Sequence, residues 1–318
     1  MALTNQVTAA AATAPPAAGA GTPRRRRLFA REAFWGYLMI LPIAVGLAIF
    51  YLYPIVRTLY FSFTEWGAFG GHTWTGLENY RVLIGDEAVR GAMLNTLLYS
   101  FLVLLGIPLS IALAALLNVK GLRGVAFYRI LYFLPVITMP VAVAIVWRWI
   151  YNGDFGILNF LLSKIGISGT SWLTNPDTAL ISIAVVGIWM TIGYNMVILL
   201  AGLQSIPPHY YEAAAIDGAG PFRKFFSITV PLLSPSIFFV TVLTLIQALQ
   251  VFDLVFAMIM PTNPALPRAQ SVVYLFYREA FVANDRGYAA AIVMALLLVI
   301  LLITLVQFRL QKRWVHSE

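Results

Sequence analysis

The chain has 318 residues, of which 60% are hydrophobic and only 11% are charged, with a mean hydropathy of +0.83 and a formal net charge of +8. Soluble domains carry about 25% charged residues, so this composition excludes an ordinary soluble protein and indicates an integral membrane protein. The sequence contains no cysteine, which excludes a disulfide framework, thiolate metal sites and cysteine nucleophiles. The three histidines lack helical i, i+4 spacing, so no metal site is predicted.

Residues 1–30 are predicted to form a disordered basic tail, because Ala, Pro, Gly and Thr dominate its beginning and four arginines follow at Arg24 to Arg27. The apolar stretch after them is too long for a signal-peptide core and has no small-residue cleavage site. It is therefore predicted to be an uncleaved first span with a cytoplasmic N terminus. The arginine cluster could also suggest nucleic-acid binding, but a basic cluster beside an apolar span is typical of a membrane anchor.

Six charge-free stretches are each about as long as the roughly 20 helical residues that cross a bilayer core. They predict an all-α integral membrane fold with six transmembrane helices in one domain, residues 31–318. The predicted spans are about 34–56, 95–118, 130–150, 178–203, 230–254 and 288–308. Prolines are expected to bend or break several of these helices, at Pro54, Pro108, Pro135, Pro140 and Pro231.

The distribution of charge predicts the orientation in the membrane. With six spans, the tail, the loops 118–129 and 204–229, and the C terminus share one side, which carries 13 of the 21 basic residues. The net charge of these regions is +9, against −1 for the rest of the chain. The positive-inside rule therefore predicts that both termini are cytoplasmic. The three loops predicted to lie outside are too short to form a separate catalytic domain.

The segment 204–235, between the fourth and fifth predicted spans, has more structure than a simple connector needs. Two prolines predict the start of a helix at about 210–217, with Glu212 in its first turn, and Gly218 predicts its end. A second short helix is predicted at 222–229. This segment is expected to present a rigid surface, either to a partner protein or, as an amphipathic segment, to the lipid headgroups.

The same segment resembles the EAA loop of the permease subunits of binding-protein-dependent ABC importers. The residues that carry the resemblance are Glu212, Ala213, Ala214, Asp217, Gly218, Ala219, Phe225, Ile228 and Pro231. Further stretches are similar to the sugar-importing branch, and in particular to the first permease of the maltose and glycerol-phosphate type: 76–80, 95–96, 133–135 and 287–291. Residues 260–264 depart from the Thr-Gly-Gly-Pro-like turn that is common in this branch.

The resemblance implies a type I ABC importer transmembrane domain in a bacterial-type cell membrane. It implies that the EAA segment is a cytoplasmic coupling helix held by an ATPase subunit, through Glu212, Ala213, Ala214, Asp217, Gly218 and Ala219. The implied partners are a second homologous permease, two ATPase subunits and an extracytoplasmic solute-binding protein. None of the four lysines follows a glycine, so the chain has no Walker A loop and no cofactor is expected on it. ATP and Mg²⁺ are expected on the ATPase subunits.

Polar side chains in the fourth and fifth spans face either a cavity or a neighbouring helix, because exposure to lipid is costly. Their spacing alone leaves solute binding and helix–helix hydrogen bonding both open. In maltose-type permeases the substrate contacts lie on these spans, so the resemblance favours solute binding by Thr191, Tyr194, Gln247 and Gln250.

The predicted function is that of a permease subunit of an ATP-driven sugar importer, with no catalytic residues of its own, which forms half of the translocation pathway. The outer loops carry as many acidic as basic residues, which favours a neutral solute. Glycerol-phosphate compounds or another small solute remain alternatives. A secondary transporter is disfavoured because the charge-free stretches hold no carboxylate or basic relay, and a membrane enzyme because the outer acidic residues are scattered.

Overall fold

A computed structural model of the chain describes residues 23–66, 71–119 and 121–314. These residues divide into two units, one that ends at Arg57 and one that begins at Thr58. The first unit contains helix α1 (Pro23–Leu47), a π-helical turn (Ala48–Leu52) and the beginning of α2 (Tyr53–Phe61).

Helix α1 begins within the stretch that is predicted to be a tail. Residues 1–22 lie outside the described part of the chain, and α1 begins at Pro23. Proline is well tolerated in the first turn of a helix, and arginine is a good helix former. The arginine cluster therefore continues the first helix instead of interrupting it.

Within the described residues, the second unit is helical apart from one short hairpin, which the sequence analysis did not predict. The hairpin pairs β1 (Thr64–Trp66) with β2 (His72–Trp74) in antiparallel register, with Glu65 opposite Thr73. The helices in the first half of this unit are α3 (Glu78–Gly85), α4 (Glu87–Leu104), α5 (Gly106–Leu117), α6 (Val125–Ile137), α7 (Pro140–Ile150), α8 (Ile157–Lys164) and α9 (Ala179–Ser205).

The second half of the unit has shorter helices before the last long one. They are α10 (Pro208–Ile216), α11 (Pro221–Lys224), α12 (Val230–Leu232), α13 (Ser234–Leu249), α14 (Asp253–Met258), α15 (Leu266–Ala269), α16 (Val272–Tyr277) and α17 (Arg286–Trp314). Two π-helical turns, Phe225–Thr229 and Arg278–Val282, continue α11 and α16.

The helices that could cross a membrane number four to six, and they follow the order of the predicted spans. Among the described residues, four are long and apolar enough to do so without a break: Phe34–Phe61, Glu87–Leu117, Ala179–Ser205 and Arg286–Lys312. Two bent pairs complete the six predicted spans if each counts as one: Val125–Ile137 with Pro140–Ile150, bent by 99°, and Pro221–Leu232 with Ser234–Leu249, bent by 66°. The predicted all-α membrane fold is confirmed.

The second span begins earlier than predicted. The expected start was residue 95, but α4 begins at Glu87, because Asp86 caps the helix and accepts a hydrogen bond from the amide of Ala88 at 2.7 Å. Such a cap satisfies one of the amides that a helix N terminus leaves without a partner. The charge of Glu87 and the charge of Arg90 concealed this first part of the helix from a search for charge-free stretches.

Prolines account for several interruptions in the helices. Pro54 and Pro231 each follow one of the π-helical turns. A proline lacks the amide hydrogen that would bond one turn back and crowds that carbonyl, so a wider turn relieves the conflict. Pro140 begins α7, and the backbone of Met139 before it is extended, as is usual for a residue that precedes proline. The bend predicted at Pro140 is therefore confirmed.

Helix α9 forms the centre of the second unit, where it packs against α4, α5, α6 and α13. Residues 179–205 carry no charge, and about half of the residues of α9 are buried, while a stripe that includes Ile181, Val185 and Val197 stays exposed. Its first half belongs to a buried cluster shared with α7 and α14, and its second half to a cluster shared with α5 and α13.

Two polar residues that begin the predicted second span fasten α4 to the segment before α16. The Nδ2 of Asn95 donates to the carbonyl oxygens of Pro267 and Gln270, at 3.0 and 3.2 Å. The Oγ1 of Thr96 accepts a hydrogen bond from the amide of Val272 at 3.0 Å. This pair therefore holds two segments together that lie far apart in the sequence.

Candidate functional site

A cavity of about 350 Å³ lies in the second unit, where α7 begins, the middle of α9 passes and α13 ends. We call it the central cavity, and its walls include Tyr99, Pro140, Gly187, Thr191, Gln247 and Gln250. Its volume falls within the range of roughly 300–1,000 Å³ that is usual for small-molecule sites. Two interruptions of helical structure create it: the bend before α7 and the break between α13 and α14.

Three of the four predicted substrate residues line this cavity together: Thr191, Gln247 and Gln250. The amide side chains of Gln247 and Gln250 are exposed and form no hydrogen bond with any described residue. The hydroxyl of Thr191 donates to the carbonyl oxygen of Gly187 at 3.0 Å, so that it offers a ligand only its lone pairs. These three residues thus present two free amides and one acceptor to the cavity.

The fourth predicted residue, Tyr194, does not line the central cavity. It lies three residues beyond Thr191, almost one helical turn further along α9, and 36% of its surface is exposed. Trp189, another aromatic residue of α9, does not line the cavity either; it contacts Trp147, with 5.7 Å between the ring centroids. Neither of these two side chains therefore offers an aromatic face to a solute in the cavity.

A second polar pair on the same two helices joins them to each other. Asn195 on α9 and Thr244 on α13 are both buried, and their side chains lie within hydrogen-bonding distance, 3.2 Å from Nδ2 to Oγ1 and 3.3 Å from Oγ1 to Oδ1. Helix–helix hydrogen bonding, which the sequence left open for all these residues, thus describes Asn195 and Thr244, although Thr244 also borders the central cavity.

Only one of the described residues that line the central cavity carries a charge, Asp253 in the first turn of α14. No basic side chain is among them. The polar groups of this wall are therefore amides, hydroxyls and one carboxylate, set among apolar side chains.

The EAA segment forms α10 and the turn after it. Gly218 has a φ of +73°, and the amides of Gly218 and Ala219 donate to the carbonyl oxygens of Ala215 and Ala214 at 3.1 and 2.9 Å. This pair of bonds is a Schellman motif, in which a glycine in the left-handed region ends the helix. The predicted end of the helix is confirmed, but α10 begins at Pro208, so Glu212 lies just past its first turn.

One side of the EAA segment packs on the membrane-spanning helices while the other is open. The hydroxyls of Tyr211 and Thr229 lie 3.0 Å apart, and Tyr211 packs on the buried cluster formed by α5, α9 and α13. Ile216, Phe222 and Phe226 expose 87%, 81% and 66% of their surfaces. We call these three residues the exposed apolar surface.

The predicted coupling residues all lie beside this surface. Glu212, Ala213, Asp217 and Gly218 are exposed, whereas Ala214 and Ala219 are half-buried. A cleft of about 360 Å³ separates α10 from the next turn, with Asp217 on one wall and Arg223 and Lys224 on the other. The segment can therefore accept both apolar and charged side chains from outside.

A third cavity, of about 630 Å³, lies between the end of α7, the segment 151–174 and residues 258–263. Two hydrogen bonds hold the walls of this cavity together. Nδ2 of Asn263 donates to the carbonyl oxygen of Leu173 at 3.0 Å, and the hydroxyl of Tyr151 donates to the carbonyl oxygen of Ser182 at 3.2 Å. Burial raises the pKa of Tyr151 to about 12, so its hydroxyl remains a donor at physiological pH.

Three further residues of the central cavity were not predicted from the sequence: Tyr99, Gly187 and Pro140. Pro140 was expected only to bend a helix, and Gly187 and Tyr99 stand in apolar stretches with no neighbouring polar pattern. Nothing in the spacing of these residues signals that α4, α7 and α9 meet at one point.

The sequence also matches known proteins over most of its length. Residues 106–316 match the family described as binding-protein-dependent transport system inner membrane component. The probable ABC transporter permease protein YesP of Bacillus subtilis (strain 168) is 36% identical over 308 residues, which cover 94% of this chain and 97% of that relative. The sn-glycerol-3-phosphate transport system permease protein UgpA of Yersinia pestis bv. Antiqua (strain Antiqua) is 36% identical over 286 residues, 89% of this chain and 95% of UgpA.

The fold is similar to that of a solved transporter. A chain in the crystal structure of a bacterial alginate ABC transporter, in complex with an alginate pentasaccharide-bound periplasmic protein, superposes with a TM-score of 0.79 and 26% identity. The match covers 89% of this chain and 96% of that one. The family match, the two relatives and the shared fold agree, and the chain belongs to the family of binding-protein-dependent transport system inner membrane components and is a membrane-embedded transport permease.

Proposed function

We propose that this chain is the permease subunit of an ATP-driven importer of sugar-type solutes and forms half of the translocation pathway. The observation that carries the proposal is the pairing of a largely apolar cavity that holds several polar side chains, inside the membrane-spanning helices, with an exposed apolar surface on the EAA segment. The permease passes the solute through the cavity, and α10 transmits the motion of a separate ATPase subunit. A second homologous permease, two ATPase subunits and an extracytoplasmic solute-binding protein complete the importer.

The coupling residues of this proposal are Glu212, Ala213, Ala214, Asp217, Gly218 and Ala219. Their support is the geometry of α10, whose Schellman turn fixes the chain direction and leaves Ile216 and Phe222 open to a partner. Large exposed apolar side chains in a cluster are typical of a protein interface. ATP and Mg²⁺ are bound by the partner ATPase subunits in this scheme, because the sequence has no Walker A loop.

The proposed solute is a neutral sugar or polyol. The walls of the central cavity offer amides and hydroxyls, which suit the hydroxyls of such a solute, and the one charge among its described lining residues is the carboxylate of Asp253. A carboxylate disfavours an anionic ligand at close range. Glycerol-phosphate compounds remain the second candidate, because UgpA, a permease for sn-glycerol-3-phosphate by name, is 36% identical to this chain.

The proposed orientation places both termini and the EAA segment in the cytoplasm of a bacterial-type cell membrane, on the basis of the +9 against −1 division of charge. Ser168 and Ser227 are both exposed and lie on sides predicted to be opposite. Since the chain has no cysteine, single cysteines at these positions can be labelled in intact cells with an impermeant maleimide. Labelling of Ser168→Cys but not of Ser227→Cys is expected, and the reverse pattern would contradict the orientation.

The function is tested with the complete importer in proteoliposomes. D-glucose, D-xylose, maltose, D-sorbitol and sn-glycerol-3-phosphate are offered with the cognate binding protein, and ATP hydrolysis and uptake are measured together. Stimulation of both by a neutral sugar or polyol is expected. Stimulation by sn-glycerol-3-phosphate alone would replace the proposed solute with the second candidate, and ATP hydrolysis that no solute stimulates would count against both.

A further inference from the structure

Tyr99 brings a polar group to the central cavity that the sequence did not indicate. It lies on α4, only 4% of its surface is exposed, and its ring belongs to the buried cluster around the first half of α9. Yet it forms part of the cavity wall, and its hydroxyl has no hydrogen-bond partner among the described residues. The ring of Tyr99 is thus buried while its hydroxyl opens on the cavity, where it is free to bond to water or to a solute.

The hydroxyl has room at this position only because residue 187 is a glycine. A Cβ atom at Gly187 would lie 2.3 Å from the hydroxyl oxygen of Tyr99 and 3.1 Å from its Cζ. Carbon and oxygen atoms that are not bonded do not approach so closely, and the same Cβ atom would also lie 3.3 Å from Cγ2 of Val103. Gly187 therefore acts as a positioning residue for the Tyr99 hydroxyl.

The position of this hydroxyl complements the other polar groups of the cavity. Thr191 already donates its hydrogen to the carbonyl oxygen of Gly187, so it can only accept. Gln247 and Gln250 offer their amides from α13. Tyr99 adds a group from α4 that can donate as well as accept, and a solute between these helices would meet polar groups from three different elements.

We propose that the Tyr99 hydroxyl hydrogen-bonds directly to a hydroxyl of the transported solute, and that Gly187 holds it in place to do so. This inference rests on the proposed function of the central cavity as the solute pathway. It adds a specificity-determining residue on α4 to those of α9 and α13. The class of ligand is a neutral polyhydroxylated solute, because a neutral phenol recognises an alcohol by exchanging one hydrogen bond with it.

The test uses Tyr99→Phe, which removes the hydroxyl and keeps the ring. The probe is whichever of D-glucose, D-xylose, maltose and D-sorbitol the wild-type importer takes up fastest, together with its monodeoxy analogues. The measured quantity is the ratio of uptake rates for parent and analogue in the same proteoliposomes, since a ratio cancels differences in the amount of assembled importer. Loss of one neutral hydrogen bond should reduce the preference for one hydroxyl by roughly two- to twelvefold.

The matched control is Tyr151→Phe. That tyrosine is also buried, but its hydroxyl donates to the carbonyl oxygen of Ser182 and it does not line the central cavity. Its removal should leave the ratios for all analogues at their wild-type values. An equal change in both tyrosine variants would show a general effect on the fold and would overturn the assignment to Tyr99.

The role of Gly187 is tested with Gly187→Ala, alone and combined with Tyr99→Phe. The single variant should change the same ratio in the same direction as Tyr99→Phe, because the methyl group displaces the hydroxyl. In the double variant the closest atom is the ring carbon at 3.1 Å instead of the oxygen at 2.3 Å, so its yield should recover towards the wild-type amount. A double variant that assembles no better than Gly187→Ala would overturn the positioning role.

Gln247→Ala and Gln250→Ala separate this inference from the proposed function. If the glutamine variants alter the preference among analogues and Tyr99→Phe does not, the central cavity remains the pathway and the Tyr99 hydroxyl bonds to water only. If none of the three alters it, or if the wild type takes up none of the four probes, the proposed function fails and the assignment to Tyr99 fails with it.

Discussion

The EAA segment and the central cavity are built in opposite ways. The exposed apolar surface comes from residues within one short stretch of sequence, and its side chains lie open on α10 and the turns that follow. The central cavity collects side chains from α4, α7, α9 and α13, and its polar groups stand among buried apolar ones. A contiguous surface can be changed without affecting the core, whereas a change in the cavity also affects the packing of the helices around it.

This difference leads to distinct expectations for mutations. Substitutions on the EAA segment should separate transport from membrane assembly, because the side chains involved contribute little to the buried clusters. Substitutions in the cavity should alter solute preference or assembly, depending on whether the side chain faces the space or a neighbouring helix.

The largest effect is expected for Phe222→Ala. Phe222 exposes 81% of its surface, so its truncation should leave the amount of permease in the membrane unchanged. Truncation of an aromatic anchor at an interface commonly costs about 2 kcal/mol or more, which corresponds to roughly a 30-fold weaker association with the ATPase subunit. The amount of ATPase subunit that co-purifies with the permease measures this association. Phe239→Ala is the control, because Phe239 is 52% exposed on α13, away from the EAA segment.

A somewhat smaller effect is expected for Gly218→Ala. A residue with a Cβ atom pays about 1–2 kcal/mol to adopt the left-handed region, so the Schellman turn should be distorted and coupling of ATP hydrolysis to uptake should fall by roughly 5- to 30-fold. Gly220→Ala is a closely matched control: an added Cβ meets no atom within 4 Å at either position, and Gly220 has a φ of −69°. Equal coupling in both variants would contradict the role of this turn.

Gln247→Ala and Gln250→Ala should have moderate effects that depend on the solute. Each removes a free amide from the central cavity, and a lost neutral hydrogen bond is worth about 0.5–1.5 kcal/mol. Uptake should fall by roughly two- to twelvefold for the solute whose hydroxyl is contacted, with a smaller loss for analogues that lack this hydroxyl. A uniform loss for every analogue, in proportion to the amount of assembled importer, would instead indicate helix packing.

The smallest effect is expected for the pair Asn195→Leu and Thr244→Val. These residues bond to each other, and an interhelical hydrogen bond in a membrane contributes about 0.6 kcal/mol on average. Each single variant should lower thermal stability slightly more than the double variant, since a single change leaves one buried polar group without a partner. Solute preference should stay at its wild-type value. A changed preference would move this pair from the packing of helices to the solute pathway.

Several features of the protein could be predicted because they depend on neighbouring residues alone. The charge-free stretches located the membrane-spanning segments, because a bilayer accepts only long apolar helices whose backbone bonds are satisfied internally. The glycine at 218 predicted the end of α10, because few other residues adopt a positive φ without strain. The hairpin at Thr64–Trp66 and His72–Trp74 was not predicted, since its strands are only three residues long.

Tertiary structure alone decided which polar side chains of the cavity wall are free to bind a solute. Thr244 and Gln247 are three positions apart on one helix and both border the central cavity. The side chain of Thr244 bonds to Asn195, whereas the amide of Gln247 has no hydrogen-bond partner among the described residues. Where the neighbouring helix passes determines this outcome. Likewise, Tyr99 reaches the cavity only because α4 packs on α9 at Gly187, and a sequence read by itself contains no measure of the distance between two helices.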